Sequence, residues 1–300
     1  MDIVTHAMLG AIAASPFAAS QPEAAAAFVF GSVAPDLDAC SRLFGRKAFL
    51  AAHQTWSHAL PVIAVVGGLA WVAREVCGVY APWAPLALAL GMALHALLDW
   101  TNTYGITLLA PFSRRRLCRE WVFFVDAFVI ASCLGMLGVL AWRLAEGRPL
   151  GWGFQLGWGC GLVGYGVGRV ALRRRARRVC PPGTLSLVPS ALVPWVYLGC
   201  ARQGDEVLVF RVDALTQTVF EVERVRVLDA DHRALLASLP EWRVMRSLSP
   251  AYHLVSRDEH EGGARLVCRD LRTRNFATRF GQLELQLDST GAVAGRVFHV

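Results

Sequence analysis

A sparse series of histidines and acids lies inside otherwise apolar segments of the first 126 residues, and this restricts the fold more than any other feature. Its members are His6, Asp36, Asp38, His53, His58, His95, Asp99 and Asp126. Their surroundings are Ala, Val, Leu, Gly, Trp and Phe. Residues 1–179 hold only nine acidic side chains, and four of those nine belong to the series. A charge or an imidazole in so apolar a setting is costly unless it is paired, bound to a metal or put to use. The pattern predicts a metal site assembled at one face of a membrane helix bundle.

The chain changes character at about Leu172, and the domain boundary is placed at 179/180. Before it come long apolar runs, among them Leu60–Val72, Pro82–Trp100 and Phe123–Trp142; after it, charged and β-branched residues alternate in short runs. A hydrophobic fraction of 55% is high for a soluble chain and fits a membrane half. Ile3–Ala14 predicts a helix broken at Ser15-Pro16, and Ala24–Val33 a second one ended by Ala34-Pro35-Asp36. Each is short for a span, so together they predict a half-spanning or tilted hairpin. Residues 39–54 form a more polar connection, and spans follow at about 58–77, 83–101, 122–143 and 150–172. Residues 1–179 are thus expected to form a mainly α membrane bundle, a hairpin plus about four spans. Residues 180–300 are expected to form a small antiparallel β-rich domain. Its strands are placed at 195–201, 206–212, 219–227, 252–257, 265–270, 282–287 and 295–300, with a turn at Asp288–Gly291 and a short helix at 231–238 capped by Asp231.

Orientation follows from arginine. Arg114, Arg115, Arg116 and Arg119 lie between the second and third spans, and Arg173, Arg174, Arg175, Arg177 and Arg178 follow the fourth. Two spans separate the clusters, so both fall on one side, which the positive-inside rule makes cytoplasmic. His53 and His58 precede the first span, His95 and Asp99 end the second, and Asp126 opens the third. If residues 3–33 form a hairpin, His6 and Asp36/Asp38 join them at the same face. The expected location is a bacterial inner membrane, multi-pass, with the N-terminus and residues 180–300 cytoplasmic. The net charge of +7 comes from arginine, Lys47 being the one lysine, and is assigned to membrane edges rather than to nucleic-acid binding. The N-terminal segment lacks a positive n-region and is expected to be retained.

Several motifs have ordinary readings. Eight cysteines are scattered singly with no C-x-x-C pair, which argues against a disulfide framework and thiolate zinc. Residues 159–164 match GxGxxG, but no strand precedes them. Gly153, Gly157, Gly161, Gly164 and Gly168 instead predict a small-residue face for helix packing. His232, His253, His260 and His299 show no metal spacing and are expected at the surface.

The sharpest motif is His95-Ala-Leu-Leu-Asp99, whose i and i+4 positions share a helix face. Alone it fits a hydrogen-bonded packing pair slightly better; beside the other members it points to metal. His53 and His58 flank a Trp, and Asp36 and Asp38 put two carboxylates on a turn just beyond a helix end. Asp126 can bind metal or merely cap a helix. This N/O mixture suits zinc first, then manganese or iron.

These residues also carry a resemblance. Thr5-His6 with Gly10, Gly31–Asp38, His53 with Trp56-Ser57-His58, His95–Gly105, Pro111-Phe112-Ser113 and the Trp121…Asp126 segment resemble the LexA-regulated, YdjM-type family of inner-membrane metal-dependent hydrolases. The match is close over residues 1–170 and looser beyond. That family is distantly similar to zinc phospholipase C and the P1-type nucleases, helical phosphodiesterases with clustered zinc. The resemblance therefore implies metal-dependent phosphoester hydrolysis. No evident second His-x-x-x-Glu pair follows His95/Asp99, which counts against a full three-metal cluster.

The reading adopted is a cytoplasm-facing, membrane-embedded metal hydrolase acting on an amphipathic phosphoester or lipid. Its candidate ligands are the eight residues of the series. Asp36 or Asp38 is the candidate base, and Asn102 the candidate for orienting substrate. The rival is a metal-binding scaffold or ion carrier displaying the β domain. A carrier should place its charges near mid-membrane rather than at one edge.

Overall fold

The computed structural model describes residues 1–148, 151–226, 230–249, 251–272 and 279–299; for residues 46, 47, 51 and 230–232 it describes the backbone only. It has two compact units, Met1–Arg169 and Val170–Val300. The division falls inside a helix, close to the composition change at about Leu172 and before the 179/180 boundary expected for the domains.

The first unit is helical. Its helices are α1 (Ile3–Ala14), α2 (Pro22–Val33), α3 (Arg46–Ala52), α4 (Leu60–Val76), α5 (Ala84–Trp100), α6 (Ala127–Ala145) and most of α7 (Trp152–Arg177). Asp2 caps α1 by accepting from the Thr5 amide at 3.0 Å. Met8, Leu9 and Ile12 on α1 then pack against Val129, Cys133, Met136 and Leu140 on α6. Two glycines let α2 and α5 touch backbone to backbone. A Cβ at Gly31 would overlap the Leu88 carbonyl oxygen, and one at Gly91 the Phe28 carbonyl oxygen. This contact carries the end of α2 against the last turns of α5.

The segment expected as a polar connection holds a 3-10 helix, Ala34–Phe44, followed by α3. The third apolar helix starts at Ala127 rather than near 122. Asp126 fixes the start by accepting from the Phe128 and Val129 amides at 3.1 and 3.2 Å. Among the described residues one helix, α6, is long and apolar enough to cross a membrane; α5 and the α1 segment are shorter apolar helices. The glycine face of α7 is corrected. A Cβ at Gly153, Gly157, Gly161, Gly164 or Gly168 would meet no atom within 4 Å, so that face is not a close packing surface among the described residues.

In the second unit, Leu172 and Ala176 at the end of α7 pack with Leu187, Tyr197, Phe210 and Val212. Two four-stranded antiparallel meanders replace the single sheet expected. The first runs β1 (Thr184–Pro189), β2 (Val196–Gln203), β3 (Glu206–Asp213), β4 (Thr218–Arg226). The second runs β5 (Tyr252–His260), β6 (Gly263–Asp270), β7 (Gln282–Asp288), β8 (Val293–His299). Between them lie α8 (Ala230–Ser238) and α9 (Pro240–Leu248). The expected cap Asp231 and the surface histidine His232 have side chains outside the described residues, and Val300 lies outside them altogether. His253 is buried, not at the surface, and burial together with Arg246 and Arg202 pushes its pKa down to about 4. His299 is half-buried against Glu284 at 3.0 Å, whereas His260 is exposed. None of the eight cysteines is in a disulfide; Cys133, Cys200 and Cys268 are core residues.

Candidate metal centre

Four members of the series converge: Asp36, His58, His95 and Asp99 are all buried, and one ligand atom from each lies within 4.8 Å of the others. Asp36 sits in the 3-10 turn that Pro35 opens just beyond α2. His58 ends a short 3-10 turn, Trp56–His58, before α4. His95 and Asp99 share the inner face of α5, one turn apart. The Gly31/Gly91 crossing brings these elements together.

Hydrogen bonds fix which nitrogen of each imidazole faces the cluster. His95 Nδ1 lies 2.8 Å from the Ser32 carbonyl oxygen. A carbonyl only accepts, so Nδ1 carries the proton and a neutral His95 presents its Nε2 lone pair. Ser57 donates its single hydroxyl proton to Asp38 Oδ2 at 2.6 Å, so its oxygen accepts from His58 Nδ1 at 2.9 Å. A neutral His58 therefore also presents an Nε2 lone pair. These two nitrogens stand 3.0 Å apart.

The carboxylates complete the figure. His58 Nε2 is 3.8 Å from Asp36 Oδ1 and 3.4 Å from Asp99 Oδ2, and His95 Nε2 is 3.5 and 3.8 Å from the same two oxygens. Metal bonds of roughly 2.0–2.1 Å in a tetrahedron require ligand atoms roughly 3.3 Å apart. Five of the six edges are thus close to those of a four-coordinate N₂O₂ site. Two buried carboxylates and two inward lone pairs are stable only around positive charge. Burial disfavours the Asp36 carboxylate, yet its interactions with the adjacent His58 and His95 imidazoles outweigh it and hold its pKa well below the usual range. Burial likewise opposes a charged His58, but Asp36 and Asp99 overcome it and push the His58 pKa up to about 9. The donor set fits a divalent ion with mixed N/O preference, such as zinc, manganese or iron.

The other members of the series stand around this centre. His6 Nε2 is 3.1 Å from Asp99 Oδ1 and its ring stacks on His95 at 3.7 Å, while its buried Nδ1 has no hydrogen-bond partner among the described residues. Asp38 lies one layer out, bonded to Ser57, His53 and the Gln54 amide. His53 is bonded to Asp38 and half-buried. Asp126 is occupied elsewhere. It caps α6, accepts from the Tyr165 hydroxyl at 3.0 Å and faces Arg169 at 3.9 Å. Asn102 is buried with Oδ1 bound to the Thr103 amide at 2.6 Å, and its Nδ2 has no hydrogen-bond partner among the described residues.

The sequence reading assigned no role to Gln54 or to Ser57, although Ser57 lies in the motif that carries the family resemblance. Gln54 joins both layers, its amide donating to Asp38 Oδ2 at 3.0 Å and its Nε2 to Asp99 Oδ2 at 3.2 Å. It does so at φ 60°, a left-handed conformation uncommon outside glycine. Neither residue type is a usual ligand, so only its place between His53 and His58 could have drawn attention to it. The α-amino group of Met1 also donates to Asp99 Oδ1. Arg116 ties down the rim, its guanidinium donating to the Gly105 and His53 carbonyls at 3.0 Å each.

The sequence profile of the YdjM inner membrane protein family matches residues 1–173, which include every residue of this centre. The "Uncharacterized protein YfhP" of Bacillus subtilis (strain 168) is 28% identical over 191 residues, covering 59% of this chain and 56% of that protein. The match thus spans little more than half the length of this curated relative. No solved structure matches the chain.

Proposed function

The chain belongs to the YdjM inner membrane protein family, and from its buried histidine–aspartate cluster we propose that it is a membrane-embedded, metal-dependent hydrolase of phosphoesters. The observation that carries this reading is the pair of His58 and His95 Nε2 atoms, 3.0 Å apart and turned toward two buried carboxylates. A divalent cation bound there supplies Lewis acidity, polarising a phosphoryl oxygen and acidifying water. Asp36, His58, His95 and Asp99 would hold it. Asp38, acting through Ser57, fixes the His58 tautomer, as partners in the outer shell of metal sites do. Arg116 is bonded to the His53 carbonyl, and Arg114, Arg115 and Arg119 are exposed in the same segment, so this rim favours an anionic substrate.

In the proposed topology α4, α5, α6 and α7 cross the bilayer and α1–α2 form a hairpin. At 17 residues each, α4 and α5 reach the short end of the spanning range of roughly 17–25 residues. The arginine clusters would place the centre and residues 180–300 on the cytoplasmic side, giving an amphipathic substrate access from the membrane edge. The test is turnover by detergent-purified full chain with added zinc or manganese, across phospholipid and nucleotide phosphoesters. Activity that His95→Ala and Asp99→Asn abolish without unfolding the protein supports the reading. Metal-loaded protein inactive across the panel favours a metal-stabilised scaffold instead.

A further inference from the structure

Asp38 and His53 lie outside the four-residue cluster, and their geometry suits another task. His53 Nδ1 is 2.5 Å from Asp38 Oδ1, so Nδ1–H donates to the carboxylate and Nε2 points away from it. Among the described residues nothing bonds that Nε2. The His53 side chain is 27% exposed, whereas those of His58 and His95 are 0% exposed. The ring is held in place by stacking on Phe49 at 4.7 Å, and its backbone carbonyl is held by Arg116. It stands edge-on to His58 with centroids 6.3 Å apart, beside the cluster without joining it. The second oxygen of Asp38 accepts from Ser57, which orients His58. One carboxylate thus orients an inward imidazole and an outward one. An imidazole fixed by a carboxylate through one nitrogen, with the other nitrogen free, is the arrangement used for proton transfer.

We propose that His53, oriented by Asp38, is the general acid for the leaving group of the phosphoester; this rests on the hydrolase reading above. The phosphorus forms a bond to a water oxygen as its bond to the leaving oxygen breaks. The leaving oxygen takes the proton of His53 Nε2. The proton lost by the attacking water passes to solvent, from which the partly exposed His53 is reprotonated. Asp38 acts as a positioning residue.

The test compares full-length wild type, His53→Gln and His53→Ala for zinc content, melting temperature and turnover. The substrates are two esters of one phosphate, a p-nitrophenyl ester and an alkyl ester. An acidic phenol leaves without a proton, whereas an alkoxide needs one. Zinc content should stay at the wild-type level in both variants. Alkyl-ester turnover should fall about 10²- to 10⁴-fold, the usual contribution of general acid catalysis, and p-nitrophenyl turnover less than about tenfold. Asp38→Asn, compared at saturating zinc because Asp38 also orients His58 through Ser57, should show the same discrimination between esters. Loss of zinc in His53→Ala would make His53 a ligand and overturn the proposal. Equal falls on both esters would overturn it while leaving the hydrolase reading intact. Zinc-loaded wild type inactive on both esters would overturn both.

Discussion

Gly91→Ala tests whether the α2–α5 crossing builds the centre. The new Cβ would overlap the Phe28 carbonyl oxygen and lie 2.9 Å from the Ser32 nitrogen and 3.1 Å from the Gly31 carbonyl carbon. Ordinary contacts between such atoms are roughly 3.5 Å, so the helices must part by roughly an ångström. All three contacts are backbone, and no side-chain rotation relieves them. The same displacement would stretch the bond between His95 Nδ1 and the Ser32 carbonyl from 2.8 Å beyond hydrogen-bonding range. Overpacking of this kind costs about 1–3 kcal/mol. Loss of the acceptor behind a ligating histidine typically lowers metal affinity about 10- to 100-fold. Chelator competition measures the affinity and thermal unfolding in detergent the stability. Gly68→Ala is the control, since a Cβ there meets nothing within 4 Å and Ala gains about 0.5–1 kcal/mol of helix stability over Gly. If Gly91→Ala binds metal as tightly as the control, the crossing does not position His95 and the reasoning fails.

Asp126→Ala should cost about 0.5–2 kcal/mol of stability through the lost cap, and more because Tyr165 and the buried Arg169 lose their carboxylate partner, while leaving metal content unchanged, measured by unfolding and elemental analysis. A parallel loss of metal would make Asp126 a ligand. Metal affinity should rise with pH: His58 holds a proton up to about pH 9 without metal, and that proton must leave when its nitrogen binds a cation. A single proton predicts up to about tenfold tighter binding per pH unit between 7 and 9, read by competition titration, and a flat profile would contradict it. Reporter fusions after Arg178 should report a cytoplasmic location, and a periplasmic signal would refute the proposed orientation.

The centre was partly legible in the sequence because a charge in an apolar segment must be accounted for, and because His95 and Asp99 sit one helical turn apart. The sequence could not separate ligands from supporting residues. That depends on α2 meeting α5 at Gly31 and Gly91, a contact that spacing does not encode. Asp36 consequently reaches the cluster while Asp38, two residues on, turns to Ser57 and His53. The α7 glycines carry the spacing of a packing face, yet among the described residues nothing lies within 4 Å of a Cβ placed on them, since period describes a face and not its partner. In the β-rich unit, β1 follows Pro181-Pro182-Gly183 and ends at Pro189, composition that reads as loop. His253 was placed at the surface because it shows no metal spacing, a criterion that says nothing of burial; at the start of β5 it is buried beside Tyr252.

The central claim is a single N₂O₂ centre built from Asp36, His58, His95 and Asp99. X-ray absorption at the zinc edge of purified, zinc-reconstituted full-length protein tests it most directly, with His95→Ala alongside. The account predicts one zinc per chain with four nitrogen or oxygen neighbours at roughly 2.0–2.1 Å and two imidazole signatures, one of them lost in His95→Ala. Sulfur neighbours at roughly 2.3 Å, or a spectrum unchanged by His95→Ala, would contradict it.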